Sequence, residues 1–338
     1  MKKIITGLIK PAAAAAIILA VGAVCPIQEN AAHAQTASRD GPPEEIRIDY
    51  ANYNPLSLVL RDRQILEEEF KTDNIKIKWV FSVGGNKAME YLLSGSVDIA
   101  ASAGAAALIS FINGNPIKSI YVVNNSLNSI MVRAESDIKE ISDLKGKSIA
   151  AAIGTDPYLF LIRTLREVNL TLKDIKFVPL QHPDGKNELA RGRVDAWCAA
   201  EPQQSQGELE GLRYLYRKPE FGTGDLLSVR EDFLLKHKDI VLRVLSAYEK
   251  ARLWANNNHD EYVSIVARQI NIKPDIARMV LEKQTIGSDE ITDTLFNTLV
   301  ETGRILRETG AVKKDTDPEK AVAELVDRSY FRELKERK

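Results

Sequence analysis

Three short stretches of the chain combine small residues with hydrogen-bond donors, a combination suited to holding an anion. They read SVGGNKA from Ser82, SAGAAA from Ser102 and GTDPY from Gly154. Glycine allows a ligand to approach the backbone, and Ser, Thr or Asn can cap a helix N-terminus, where free N–H groups favour anions. The candidate ligand-binding residues in these stretches are Ser82, Gly84, Gly85, Asn86, Ser102, Gly104, Thr155, Asp156 and Tyr158.

The elements that must position these residues occur twice in the same order. Strand, helix, strand, helix, strand are predicted over 46–102 and again over 147–200. In each copy the second helix ends at a Gly-x-Val-Asp turn, at Gly95–Asp98 and at Gly192–Asp195. The glycine is expected to end its helix with a positive φ, and Val-Asp to open a buried strand. Each copy therefore predicts one βαβαβ unit with helices on the faces of a parallel sheet.

The two units predict two lobes. The first lobe is expected to comprise 44–126 and 226–338, and the second 127–225, because helical patterns after Phe233 should pack back onto the first lobe. The crossings between lobes should lie near 124–128 and 222–225, where a hinge could close the lobes on a ligand. The predicted fold class is α/β, two-lobed, with a mainly parallel sheet in each lobe and the ligand in the cleft between them.

Six loops are expected to line that cleft, because the carboxyl ends of parallel strands share one edge of a sheet. They span 52–57, 82–87, 102–106, 154–158, 181–186 and 199–204. These loops add Asn54, His182 and Glu201 to the candidate residues, and the second crossing adds Thr223. Bulk at Gly85 is expected to fill the space of the ligand.

The first 34 residues have the pattern of a signal peptide. Lysines precede the apolar run PAAAAAIILAVGAV, and Ala32-His33-Ala34 offers small residues for cleavage after Ala34. The run is shorter than the ~20 residues of a membrane anchor, so export to the periplasm is predicted. Lipidation of Cys25 is the less favoured alternative, because Val24 is bulkier than the residue that usually precedes such a site.

Composition limits the chemistry and the partners of the chain. It has 338 residues, 44% of them hydrophobic and 28% charged, which is typical of a globular protein. Cleavage would remove three lysines and one glutamate and change the formal charge from −1 to −3, so nucleic acid is not an expected partner. Cys198 would be the one remaining cysteine, in an apolar strand where a thiol is usually core. No catalytic residue, cofactor or metal site is predicted, and a monomer is expected.

Several segments resemble the periplasmic nitrate/sulfonate/taurine-binding proteins of ABC importers. The most specific are 141–154, with ISDLKGKSIA, and 188–202, with GRVDAW, and FGTGDLLSVREDFLLKHKDIV resembles the sulfonate-binding branch. The resemblance covers roughly Ile46 to Phe331. It implies a type II periplasmic binding protein, not an enzyme, that closes on a small anionic organic ligand. It also implies that the protein delivers this ligand to a permease with its ATPase. The protein would contact the membrane only through that permease.

The segment AEPQQ departs from the pattern of these relatives, since it places Glu201 after the second Val-Asp strand. With Asp156 and Asp184, Glu201 would give the second lobe three carboxylates, which suits a cationic group such as the ammonium of taurine. The alternative is that Asp156 caps a helix and Asp184 is a turn residue. The ligand class stays open between an alkanesulfonate or taurine and a nitrate, sulfate ester or pyrimidine, as does a sensor or enzyme on the same scaffold.

Overall fold

A computed structural model describes residues 41–125 and 127–337. The predicted signal peptide over 1–34, its cleavage after Ala34 and the alternative at Cys25 lie outside the described residues. Within the described ranges, none of the helices has both the length and the apolar character that a membrane span requires.

Eleven strands and fourteen α-helices are formed by the described residues. The strands are β1 (Glu45–Tyr50), β2 (Lys76–Phe81), β3 (Ile99–Ala103), β4 (Ile117–Asn125), β5 (Ser129–Arg133), β6 (Ser148–Ala151), β7 (Lys176–Pro179), β8 (Ala196–Ala199), β9 (Leu212–Arg217), β10 (Asp225–Arg230) and β11 (Thr285–Asp289). The helices are α1 (Pro55–Asp62), α2 (Ile65–Phe70), α3 (Gly85–Leu93), α4 (Gly104–Ile112), α5 (Asp156–Glu167), α6 (His182–Ala190), α7 (Gln203–Leu209), α8 (Glu231–Lys236), α9 (Lys238–Asn257), α10 (His259–Gln269), α11 (Pro274–Lys283), α12 (Asp293–Glu308), α13 (Pro318–Leu325) and α14 (Ser329–Glu336).

The strands form one sheet in each lobe. The first has the order β11-β4-β10-β3-β1-β2 and the second β7-β6-β8-β5-β9. The βαβαβ units supply the parallel pairs, β1 with β2 and β3, and β6 with β7 and β8. The strands flanking the crossings, β4, β5, β9 and β10, pair antiparallel. Both sheets are therefore mixed rather than mainly parallel, because a strand that returns from the other lobe runs against its neighbours.

Helices cover both faces of each sheet and bury four apolar clusters. On one face of the first sheet, Ile46 and Ile48 pack with α1, α9 and α10, and on the other α3 and α4 pack with α12 and α13. In the second lobe, α5 covers one face of the sheet and α6 the other. The helices after Phe233 thus pack mainly on the first sheet.

Some predicted elements differ in the structure. The helix expected over 55–70 is broken at Gln64, whose φ of 52° lies in the left-handed region, and the turn lets α2 bury Leu66 and Phe70. The helix expected over 317–334 is divided at Val326, which bridges to Ser119 of β4. The short elements β9, β11 and α7 were absent from the sequence prediction, and of α4 only the start at SAGAAA was expected.

The Gly-x-Val-Asp turn has the same structural role in both lobes. Gly95 and Gly192 have the expected positive φ, 69° and 72°. The backbone N–H of Asp98 donates to Arg47 O, and the Asp98 carboxylate accepts from Arg47 N. Asp195 makes the same pair of contacts with Ser148. Each aspartate therefore fixes the third strand of its unit to the first, at the strand ends opposite the predicted cleft.

We expect Asp195→Ala to lower the free energy of unfolding by about 1–2 kcal/mol near pH 7, since two partly buried donors of Ser148 lose their partner. Ser148 N and Oγ each lie 2.7 Å from Asp195 Oδ2. Burial acts to raise the pKa of Asp195, but these hydrogen bonds outweigh it and the net pKa is lowered. The difference between the variant and the wild type should therefore shrink as pH falls through that lowered pKa. Urea unfolding at several pH values measures this, with exposed Asp315→Ala as control. An equal loss of unfolding free energy in Asp195→Ala and Asp315→Ala would contradict the role of Asp195 in fixing β8 to β6.

Candidate functional site

A cleft lies at the carboxyl ends of the parallel strands of both lobes, with about 740 Å³ of empty space when the solvent at its mouth is included. All six predicted loops contribute residues to its walls. The predicted residues that line it are Gly84, Gly85, Thr155, Asp156, His182 and Glu201. The structure therefore places candidates from both lobes around one space, as expected if two sheet edges face each other.

The N-terminus of α3 forms much of the first-lobe wall. Gly84 is its N-cap, with an extended backbone (φ −170°), and has no side chain to cap the helix, while the first-turn N–H of Lys87 donates to Asn86 Oδ1. Gly84 lies close to the other lobe, because a Cβ on it would be 3.7 Å from Gln181 Oε1. The free N–H groups of this first turn can bind an oxyanion without a basic side chain.

Gly85 has a different role from the predicted one. A Cβ on Gly85 would lie 3.0 Å from Ser102 Cβ and 3.5 Å from Ala103 N. These atoms belong to β3, so the space that glycine leaves is filled by the strand rather than by a ligand. The expectation that bulk at Gly85 would occupy the ligand space is wrong, since the missing side chain lets α3 approach β3.

On the second-lobe wall, Thr155 and His182 stand at the starts of α5 and α6. Thr155 Oγ1 donates to Ala152 O at 2.6 Å, which fixes the loop before α5. His182 Nδ1 is buried without a hydrogen-bond partner among the described residues. Burial lowers the pKa of His182 to about 4, so the imidazole is neutral at pH 7. It therefore offers the cleft a neutral polar group rather than a cation.

Asp156 joins the lobes as well as lining the cleft. Its carboxylate accepts from Asn128 Nδ2 at 2.6 Å and from Thr223 Oγ1 at 2.5 Å, so it binds both crossings. Thr223 Oγ1 also accepts from the backbone N–H of Ala105 in α4. Burial raises the pKa of Asp156, and the hydrogen bonds from Thr223 and Asn128 oppose that rise. The carboxylate is thus occupied in connecting α5 to the crossings and to the first lobe.

Glu201 lines the cleft, but its carboxylate is directed to α7. Oε1 accepts from Gln204 Nε2 at 2.9 Å and from Ser205 Oγ at 3.0 Å, and Oε2 accepts from Ser205 N at 3.1 Å. Its exposed fraction is only 2%. A ligand ammonium, the predicted partner of Glu201, would therefore meet a carboxylate that already accepts three hydrogen bonds. Asp184 is exposed in the first turn of α6 and does not line the cleft.

The remaining predicted residues lie behind or beside the cleft walls and serve the fold. Asn54 caps α1 by accepting from Ser57 N, and Ser82 and Ser102 are fully buried. Gly104 lets α4 approach the second crossing, since a Cβ would overlap Thr223 O, and Tyr158 packs against Phe177. Asn86 accepts from Lys87 N within α3, and Thr223 is completely buried in the network of Asp156.

Several cleft residues were not among the predicted ligand-binding residues, although some of them lie in the predicted loops. Phe81 and Val83 line the cleft although they are apolar, and their exposed fractions are 42% and 46%. Tyr53 donates from its hydroxyl to Ala101 O. Asn52, Asn128, Gln203 and Asp225 complete the polar lining. The signal for Phe81 was its place as the last residue of an alternating strand, directly before a donor-rich loop.

The cleft combines apolar surface with three carboxylates, and none of the described residues that line it is cationic at pH 7. Its described lining contains the carboxylates of Asp156, Glu201 and Asp225 and includes neither lysine nor arginine. The described residues also contain no group of three His, Cys, Asp or Glu arranged to hold a metal ion. Cys198 is completely buried in β8, and burial raises the pKa of its thiol. An anion bound here would be held by backbone N–H groups and neutral donors.

Comparison with known proteins gives similarities in sequence and in fold. The profile of the NMT1/THI5-like family matches residues 70–262. A protein of Bacillus subtilis (strain 168) with the provisional name of an aliphatic sulfonates-binding protein is 26% identical over 301 residues, which cover 87% of this chain and 89% of that protein.

Solved structures share the fold. The alkanesulfonate-binding protein SsuA from Xanthomonas axonopodis pv. citri, bound to MOPS, has a TM-score of 0.77 and 21% identity, over 85% of this chain and 99% of that one. The desulfurization enzyme DSZB has a TM-score of 0.64 and 14% identity, over 87% and 99% of the two chains. The predicted two-lobed periplasmic binding protein fold is confirmed.

We expect Gly85→Ala to lower the free energy of unfolding by about 1–3 kcal/mol, because its Cβ would press on Ser102 of β3. Gly84→Ala is the matched control. Its Cβ would meet the end of the Asn86 side chain at 2.9 Å, which can rotate away, and would lie at an ordinary contact distance of 3.7 Å from Gln181 Oε1. Chemical unfolding of both variants measures the difference. A Gly85→Ala variant as stable as the wild type would show that the contact with β3 is not tight.

Proposed function

The chain belongs to the NMT1/THI5-like family, and from this membership and the cleft we propose that it is the extracytoplasmic solute-binding protein of an ABC importer for small aliphatic sulfonates. The ligand would bind between the lobes and pass to the permease with its ATPase. The protein would act as a monomer in the periplasm, exported by its N-terminal segment. It would meet the membrane only through the permease and would not bind nucleic acid.

One feature of the cleft carries the choice of a sulfonate: a helix N-terminus that begins with two glycines and exposed apolar side chains share the same wall. Gly84 begins α3, and Phe81 and Val83 lie directly before it. A sulfonate is a permanent monoanion with three acceptor oxygens, which N–H groups of a helix start can bind. Its alkyl group would then contact Phe81 and Val83, and burial of each CH₂ would add about 0.8 kcal/mol. Nitrate and sulfate have no group for these side chains.

An uncharged alkyl group suits the cleft better than an ammonium. Both oxygens of Asp156 and both oxygens of Glu201 already accept hydrogen bonds. An ammonium beside them would lose part of its hydration and share these carboxylates with the donors already bound, which we expect to cost about 1–3 kcal/mol. We therefore propose alkanesulfonates as ligands in preference to taurine.

A transport role is favoured over an enzyme on the same fold. The fold likeness to a desulfurization enzyme makes catalysis the alternative. However, the described residues that line the cleft include no cysteine, and Cys198 lies fully buried in the sheet of the second lobe. A thiol in such a place is disfavoured as a nucleophile because burial opposes the thiolate. The helix start and the apolar side chains of the first-lobe wall suit ligand binding and need no catalytic group.

Calorimetric titration of the mature protein tests the ligand class. We expect butanesulfonate and ethanesulfonate to bind without turnover, taurine to bind about tenfold more weakly than ethanesulfonate, and nitrate and sulfate more weakly still. Binding of nitrate or sulfate alone would contradict a sulfonate site. A preference for taurine would show that a carboxylate of the cleft does accept the ammonium.

The apolar part of the site can be tested through chain length. We expect Phe81→Ala to weaken butanesulfonate by about tenfold and methanesulfonate by far less, because only the longer chain reaches the ring. Leu93→Ala is the control, since Leu93 is 60% exposed on α3 and does not line the cleft. An equal loss for both ligands would place the alkyl chain elsewhere.

A further inference from the structure

Besides the two crossings, a contact between α11 and α7 also joins the lobes. The helix α11 packs on α10, and α10 packs on α1, so α11 belongs to the helical layer of the first lobe. Its other contact is with α7 of the second lobe. Lys283 is the last residue of α11 and stands at this contact.

The ammonium of Lys283 has three acceptors, all of them in the second lobe. Nζ lies 3.1 Å from Ser205 Oγ and 3.0 Å from Tyr214 Oη, and it forms an ion pair with the Glu208 carboxylate. Tyr214 Oη in turn donates to Glu208 Oε2 at 2.7 Å. The Lys283 side chain is only 18% exposed, so solvent screens this cluster less than a surface pair. An ammonium has three donors, and all three are used.

These contacts continue to the wall of the cleft. Ser205, which accepts from Lys283, donates from both its hydroxyl and its backbone N–H to Glu201, and Glu201 lines the cleft. Burial raises the pKa of Glu201, and the charge of Lys283 is among the influences that oppose this rise. A side chain of the first lobe therefore supports a cleft residue of the second lobe through α7.

We propose that Lys283 is a positioning residue for the ligand site: it fastens α7 to the first lobe when the lobes are closed and so slows ligand release. Lys283 does not itself line the cleft. Its effect on binding rests on the proposed function, whereas its effect on lobe closure does not. Opening of the lobes would require Lys283 to leave Ser205, Glu208 and Tyr214 together.

Two variants of Lys283 test this proposal. Lys283→Met keeps the approximate length of the side chain and removes its charge, and Lys283→Arg keeps the charge. Lys186→Met is the matched control, because Lys186 Nζ binds Glu210 at 2.6 Å with both residues in the second lobe. Stopped-flow displacement of ethanesulfonate gives the off-rate, and small-angle scattering gives the radius of gyration of the ligand-free protein.

We expect Lys283→Met to raise the off-rate about tenfold, with Lys186→Met near the wild type and Lys283→Arg in between. A faster off-rate supports the proposal whether or not the ligand-free radius changes. An unchanged off-rate in Lys283→Met overturns it, even if the ligand-free radius increases. If no sulfonate binds to the wild type, the proposed function fails. The radius alone then decides: a larger radius for Lys283→Met supports the fastening role, and an unchanged radius overturns it.

Discussion

The carboxylate of Asp156 is the point on which the arrangement of the two lobes depends. It stands at the start of α5 and accepts hydrogen bonds from Asn128 in one crossing and Thr223 in the other. Thr223 extends the connection to α4 through Ala105 N, and Gly104 N donates to Gly224 O beside it. Because these donors are buried, each needs this geometry to keep a partner. One hydrogen-bond network therefore fixes both crossings, the starts of α4 and α5, and the part of the cleft wall that Asp156 forms.

The charge distribution of the cleft follows from how its carboxylates are used. An acidic lining without lysine or arginine would repel a monoanion if the charges faced it. However, Asp156 is directed to the crossings and Glu201 to the first turn of α7, so hydrogen bonds within the protein compensate both. In the proposed site, backbone N–H groups at the start of α3 would carry the attraction, together with the dipole of the helix, at about 0.3–1 kcal/mol for such a terminus. Such a site selects ligands by shape and apolar contact more than by charge.

The sequence predicted the parts of this structure that follow from local pattern. Gly95 and Gly192 marked the turns, and the rule for parallel strand ends placed six loops at one cleft. Side-chain direction was beyond this reasoning: Glu201 faces α7, and the space at Gly85 belongs to β3, because both depend on packing across elements. The short strands β9 and β11 were missed since their hydrogen-bond partners are distant in sequence. Lys283 carries no local signal at all, because its acceptors lie about seventy residues away.

The position of β10 has a consequence for how the chain folds. In the first sheet β10 lies between β3 and β4, which do not pair with each other. These two strands are neighbours in the chain, yet residues 225–230 must arrive to join them, after the whole second lobe. The second lobe, from β5 to β9, is one continuous segment and can complete its sheet first. We expect the first lobe to form more slowly, because its sheet depends on contacts of large sequence separation that cost more loop-closure entropy.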